Sequence, residues 1–333
     1  MLGKRHGTRS PHEAASASTT PKAAMKITAA LGALDARKLK SLYARLLQCR
    51  MIAERAVRVL NGRSSPTGYV CVPGEEAILV GGLSHLLPGD CVASSRRDLL
   101  CDFLRGASLK DLFEQMRKRS STAARPSSPA KKRGFAEFSV IAPLPTAAGA
   151  VPVIMGAGVA LGFKLQKRPL VTVAFSLDDA STQAPWRESL RFAAHHKLPV
   201  VHLVRCGVPG ARKHGQSAPS AKLLSQLALD CELPAITVDA SDAVAIYRVA
   251  FEAIRRAREG HGPSLILCIP CRVDAGKTAT AALRHSRSKG PNPSVRWEPH
   301  DPVVFMENYL RQKGLWSDAW KKALVRRKLA VSK

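Results

Sequence analysis

Two polar stretches follow the most apolar parts of this chain, and their chemistries are complementary. Asp178–Asp179 comes after the run Leu170–Phe175, and Arg205–Cys206–Gly207 comes after Leu198–Val204. Adjacent carboxylates are hard oxygen donors, the kind a cation such as Mg2+ takes. An arginine offers a planar fork that matches the oxygens of a phosphate. Cys206 is a soft donor and a poor ligand for a hard ion. Arg96–Arg97, after the short apolar stretch Cys91–Ala93, adds two more guanidinium groups. If Arg96, Arg97 and Arg205 converge, they supply positive charge to an anionic ligand. The alternative needs no ligand: Arg205 pairs with Asp178 or Asp179.

The elements that would position these groups are legible from hydrophobic spacing. Between the two apolar runs, Trp186, Leu190 and Ala193–Ala194 recur at helical intervals against Arg187, Glu188, Arg191 and Lys197. Apolar run, amphipathic stretch and apolar run make a strand–helix–strand crossover, and continuous apolar strands belong to a parallel sheet buried on both faces. Ligands in such sheets bind beyond the carboxyl ends of the strands. Upstream, Leu39 to Leu60 carries a long amphipathic helix stopped by Asn61–Gly62, and Gly74–Leu87 reads as a second helix before Pro88–Gly89–Asp90. Glu75 and Glu76 open that helix, where carboxylates offset its positive end. Small residues through Val151–Gly162 mark a helix pressed closely on its neighbours. Downstream the pattern gives a helix over Lys222–Cys231, a strand over Leu233–Val238, a helix over Asp242–Glu259 and a strand over Ser264–Ile269. Helices near Pro302–Lys313 and after Ser317 close the chain. The fold class is α/β: a doubly wound, mostly parallel sheet with helices on both faces.

Composition narrows the function classes. The 333 residues carry a net charge of +27, but the excess is concentrated in ends and loops. Residues 117–133 hold seven Lys and Arg and no acid, and residues 311–333 hold eight against Asp318 alone. No interleaved aromatics or nucleic-acid module accompany this charge, so a basic nucleic-acid-binding module ranks below a solvated basic surface. No apolar window reaches the ~18 residues of a membrane span. Eight cysteines scattered through apolar segments suit buried thiols in a reducing compartment. The expected organisation is a disordered basic tail over 1–34, one domain over 35–320 with a flexible basic loop at 117–134 and an irregular stretch at 272–300, and a basic tail over 321–333. The expected location is cytoplasmic, with the mitochondrial matrix as the alternative.

The order of segments resembles one family, the alpha subunits of thiamine-diphosphate-dependent 2-oxo acid dehydrogenases of the pyruvate and branched-chain type. The resemblance is carried by GEEAILVGGLSHLLPGD with SSRRDLL, by AVPVIMGAGVALGFKL, by VTVAFSLDDASTQAPWRESLRFAAHHKLPVVHLV, by LPAITVDASDAVAIYRVAFEAIRRAREGHGPSLI and by DPVVFMENYLRQKGL. It implies a thiamine-diphosphate-binding fold and thiamine diphosphate held with Mg2+. It also implies a beta-type dehydrogenase subunit in an α2β2 assembly, a dihydrolipoyl acyltransferase component and a small 2-oxo acid substrate. By the same resemblance the cofactor-binding residues are Arg96, Arg97, Asp178, Asp179, Thr182, Arg205 and Glu76, with Asp178 as the remaining metal ligand.

The chain departs from the family pattern at the site itself. The family's Gly-Asp-Gly becomes Leu177–Asp178–Asp179, and Thr182 stands where an asparagine falls. The second tip's Asn-Asn becomes Arg205–Cys206–Gly207, and a Tyr-Arg pair becomes Arg96–Arg97. Tyr69, Val70 and Cys71 occupy the neighbourhood of a missing histidine. Arg117–Gly134 replaces the Ser/His loop, and His285–Ser286 comes late. A catalytically inactive paralogue with a structural or regulatory role is therefore the alternative function.

Overall fold

A computed structural model describes residues 34–60, 69–70, 74–94, 97–117, 140–141, 151–177, 184–206, 221–269 and 301–331. Helix α1 (Ala36–Val59) begins at Asp35, whose side chain accepts from the Lys38 N–H at 2.7 Å, and it buries the Leu39, Leu42, Leu46, Cys49 and Ala53 stripe. After β1 (Tyr69–Val70) come α2 (Glu76–Leu83), β2 (Cys91–Ser94), β3 (Arg97–Asp98), α3 (Leu99–Leu104), α4 (Leu109–Arg117) and β4 (Val140–Ile141). Then follow α5 (Val151–Leu165), β5 (Thr172–Leu177), α6 (Ala184–His195), β6 (Val200–Arg205), α7 (Ala221–Asp230) and β7 (Ala235–Asp239). The remaining elements are α8 (Ala243–Arg258), β8 (Ser264–Ile269), α9 (Pro302–Gln312) and α10 (Asp318–Val331).

β1 and β3 pair with each other, and the main sheet runs β4-β2-β5-β6-β8-β7 with every neighbouring pair parallel. Strand residues alternate between two covered faces, as the continuous apolar runs require. Val173, Phe175, Val201, Leu203, Ile266 and Cys268 join the core formed with α1, α2, α3, α4, α8 and α9. On the other face, Ala174, Val200, Val204, Leu265 and Leu267 meet α5, α6 and α7.

Glycines set how closely α2 and α5 approach their neighbours. A Cβ on Gly156 of α5 would lie 3.0 Å from Ala174 Cβ. On Gly81 of α2 it would lie 2.8 Å from Ile246 Cγ2 and 3.1 Å from the Ala243 carbonyl of α8, so the two helices would have to part. Gly81→Ala is expected to cost about 1–3 kcal/mol by overpacking, read as a lower urea midpoint.

One element differs from its sequence-based expectation. Helix α2 ends at Leu83 rather than reaching Leu87. The chain instead turns through Ser84–Asp90, because Asp90 accepts from the Leu87 N–H at 2.7 Å while Arg105 donates to the Leu87 and Asp90 carbonyls. The same Asp90 carboxylate, fully buried, receives Arg258 at 2.7 and 3.0 Å and the Val171 N–H at 2.9 Å. One aspartate thus ties this turn to β5's entry and to the end of α8. The helix expected after Ser317 is α10, which runs on through most of the basic stretch 321–333; Trp320, Leu324 and Val325 pack on the core and give it a reason to stay folded.

Candidate functional site

The sheet order points to where a ligand would enter. β2 and β5 are neighbours, but the chain leaves β2 toward β4 on one side and leaves β5 toward β6 on the other. Such a switch opens a crevice beyond the strand ends. In sequence, β2 and β5 are followed by 95–97 and 178–183, which contain the arginine pair and the aspartate pair singled out by their chemistry. Arg96, Asp178, Asp179 and Thr182 lie outside the described residues. For Arg97 the backbone alone is described, paired with Tyr69 in the small sheet.

The second tip is described through Cys206. Leu177 sits opposite Arg205 in the β5–β6 ladder, so the two tips are adjacent. Arg205 pairs with Glu75, Nε lying 2.8 Å from Oε1; Asp178 and Asp179, the partners expected from the sequence, lie outside the described residues. The reason lies in strand alternation. Arg205 shares its side of β6 with Val201 and Leu203, the face that α2 covers, and Glu75 stands at the start of α2. Glu75 is only 5% exposed while Arg205 is 37% exposed. The carboxylate is enclosed, and the cation is partly open to solvent.

Glu75 and Glu76 also differ from the role of simple helix-end charges. Glu75 makes no side-chain capping hydrogen bond to its own helix. Glu76 is fully buried and accepts from the Gly74 N–H at 2.9 Å. It also receives Arg50 at 2.7 Å from Nε and 3.3 Å from Nη2. Arg50 divides its fork, reaching Asp301 at 2.7 and 3.1 Å as well. Burial works against the Arg50 charge, but the two carboxylates outweigh it and raise its pKa. Burial likewise pushes the Asp301 carboxyl up, and Arg50 with the Val303 and Val304 N–H groups more than reverses this, holding it below its ordinary value. Asp301 is also the N-cap of α9. The result is a row of charges from α9 through α1 to α2, and from α2 to the tip of β6.

Among the described residues, the β6 tip offers no donors that fit Mg2+. At the β6 tip a guanidinium and a buried thiol, Cys206, stand where a hard cation would need oxygen. Among the described residues, no three His, Cys, Asp or Glu side chains converge as a metal site. A diphosphate is a different matter, since a half-exposed guanidinium suits anionic oxygens. The described cysteines Cys49, Cys91, Cys101, Cys206, Cys231 and Cys268 are all free and buried, as their apolar settings implied. Burial pushes the Cys91 thiol up to about 12, which makes it inert as a nucleophile. Cys71 and Cys271 lie outside the described residues. No helix among those described is long and apolar enough to cross a membrane.

Three features escaped the sequence reading. Arg50 was not singled out, although it borders the buried Leu46–Cys49 stripe. Glu75 looked like a helix-end charge, although two consecutive glutamates exceed what one helix end uses. His202 lay unnoticed inside an apolar run. It is fully buried on β6 opposite Ala174, with neither ring nitrogen hydrogen-bonded among the described residues. Thr172 Oγ1, Ser176 Oγ and Trp186 Nε1 are unpartnered in the same way. On β5 and β6, Thr172, Ser176 and His202 share the face covered by α5 and α6.

Comparison with known proteins follows the same lines. The sequence profile described as "Dehydrogenase E1 component" matches residues 44–330. The pyruvate dehydrogenase E1 component subunit alpha of Staphylococcus epidermidis is 27% identical over 294 residues, covering 88% of this chain and 76% of that one. Its counterpart in Staphylococcus aureus is 27% identical over 285 residues, covering 86% and 73%. Among solved structures, a transketolase mutant from Pichia stipitis aligns with a TM-score of 0.46 at 16% identity, covering 68% of this chain and 36% of that one. A putative thiamin diphosphate-dependent enzyme from Mycobacterium smegmatis aligns with a TM-score of 0.37 at 17% identity, covering 60% and 32%. This chain spans about a third of the length of those two structures. With the profile extending over most of its length, the chain belongs to the dehydrogenase E1 component family, on the alpha-subunit side.

Proposed function

We propose that this chain is the alpha-type half of a heteromeric 2-oxo acid dehydrogenase whose metal–diphosphate site has been rewritten and weakened. In this reading it pairs with a beta-type subunit as α2β2, acts on a small 2-oxo acid and serves a dihydrolipoyl acyltransferase component. The observation that carries the reading is the adjacency of the β5 and β6 tips, Leu177 opposite Arg205, at the carboxyl edge of the sheet in a chain of this family. Thiamine diphosphate, when bound, supplies the electron sink into which a 2-oxo acid can lose carbon dioxide.

The protein's own residues would bind and orient. Arg205 directs a guanidinium toward diphosphate oxygens, and Arg96 and Arg97 follow β2 in sequence as two further cations. Asp178, Asp179 and Thr182 belong to the segment leaving β5, where two carboxylates repel phosphate unless a cation intervenes. Glu76 acts from behind, holding the start of α2 through Arg50. No step is assigned to Mg2+, because the described donors do not suit it.

Calorimetry on the chain co-purified with a beta-type subunit tests this. Thiamine diphosphate is expected to give measurable heat with and without Mg2+. No heat in either condition removes the working-site reading. One observation favours a second reading, a catalytically inactive paralogue: Glu75 already neutralises Arg205. A full-rate dehydrogenase from the reconstituted pair would end that alternative.

A further inference from the structure

We propose that the cavity at the amino edge of the sheet, between the turn after α2 and the end of α8, binds a small neutral molecule. Its ligand carries an apolar body and one N–H or O–H donor, which pairs with His85. The inference is independent of the dehydrogenase reading, because this edge lies at the opposite end of the strands from their carboxyl tips.

Three observations lead to it. The first is the size and place of the cavity, about 400 Å3, which is within the range of small-molecule sites. Arg258 in its wall pairs with Asp90, and Asp90 accepts from the Val171 N–H where the chain enters β5.

The second is the character of the walls. Leu86, Leu87, Phe251 and Ile254 supply apolar surface, and Leu87 is 52% exposed. The charges around them are already matched: Arg255 holds Glu252 and Glu259, and Arg258 holds Asp90. An anion finds no spare guanidinium here, and a cation finds no spare carboxylate.

The third is an unmatched acceptor. His85 packs against Tyr247 and Phe251, with ring centroids 4.0 and 5.1 Å away. Its Nε2 lies 3.0 Å from the Tyr247 carbonyl. A carbonyl only accepts, so Nε2 carries the proton and Nδ1 is the acceptor. Nδ1 has no partner among the described residues. Burial, helped by Lys38, outweighs the Tyr247 bond and holds the imidazole pKa below its ordinary value, so the ring is neutral at neutral pH. Ser84, also in the lining, gives its hydroxyl proton to the Val80 carbonyl. The walls thus offer acceptors and apolar surface, and the ligand must bring the donor. Burial of its apolar body supplies most of the affinity, and the bond to Nδ1 selects for the donor.

The test is fluorine NMR of 5-fluoroindole, titrated with the full chain at neutral pH. Wild type is expected to bind saturably, with a dissociation constant on the order of 0.1–1 mM for a probe of this size. N-methyl-5-fluoroindole lacks the donor and should bind wild type about fivefold more weakly. His85→Phe keeps the ring packing but removes the acceptor. It is expected to weaken 5-fluoroindole about fivefold and to leave the methylated probe unchanged. Leu87→Glu puts a charge on an exposed part of the wall and should weaken both probes by about tenfold or more. Urea unfolding checks that each variant is folded, and the two probes on wild type decide the matter without any variant. Absence of saturable binding overturns the proposal, and so does equal affinity for the two probes. Binding that Leu87→Glu leaves unchanged lies elsewhere and overturns it too, as does indifference of 5-fluoroindole to His85→Phe. None of these results touches the dehydrogenase reading, which thiamine diphosphate binding decides.

Discussion

Arg50→Met is expected to lower the unfolding free energy by about 3–5 kcal/mol, the usual consequence of stranding a buried charge. Glu76 is fully buried, and Arg50 is its cationic partner. Methionine fills much of the same volume but supplies no charge, so the Glu76 carboxylate must take up a proton or draw in water. Asp301 loses the same guanidinium but is 38% exposed and keeps its contacts with Val303 and Val304, so it contributes little to the cost. Urea unfolding at unchanged m-value measures the effect. Arg50→Met/Glu76→Gln should recover most of the loss, because the second change removes the stranded charge. A single variant as stable as wild type would show that α2 is held by packing alone.

The second large effect concerns His202 and acid. Enclosure in an apolar setting pushes its pKa from 6.5 down to about 4. Between those values the unfolded chain binds a proton at this residue that the folded chain refuses. The stability difference is therefore fully present above about pH 6.5 and is lost as pH falls toward 4, by about 3 kcal/mol in total. His202→Leu is expected to flatten this limb of the stability profile. At neutral pH the same variant should be unchanged or stabilised, since leucine removes two ring nitrogens that have no partners among the described residues. An acid limb of the same depth in the variant would assign the acid sensitivity to other groups.

Much of the fold could be read from spacing. β5, α6 and β6 declare themselves because a parallel sheet covered on both faces needs continuous apolar strands, and Trp186, Leu190 and Ala193 are indeed buried together. β8 matches its expected span of Ser264–Ile269, and Asp242 caps α8 as its position implied. The end of α2 was not legible, because what stops it is an aspartate and an arginine acting on the turn through hydrogen bonds across the chain.

The candidate site was half legible. Residue chemistry picked out Arg205, and strand adjacency explains why it matters. The pairing of Arg205 with Glu75 depends on which face of the sheet α2 covers, and that is a fact of chain topology rather than of local pattern. Arg50 was hidden for a similar reason: its partners, Glu76 and Asp301, are 26 and 251 residues away. Spacing within one helix carries no trace of either.

Binding of Mn2+, followed by electron paramagnetic resonance, tests the central claim most directly: this strand tip is organised by an arginine–carboxylate pair in place of a divalent ion. The sample is the chain with its beta-type subunit and thiamine diphosphate, titrated against a buffer blank. The expected result is a free-ion signal that rises in step with added metal. One tightly held Mn2+ per alpha-type chain would contradict the claim.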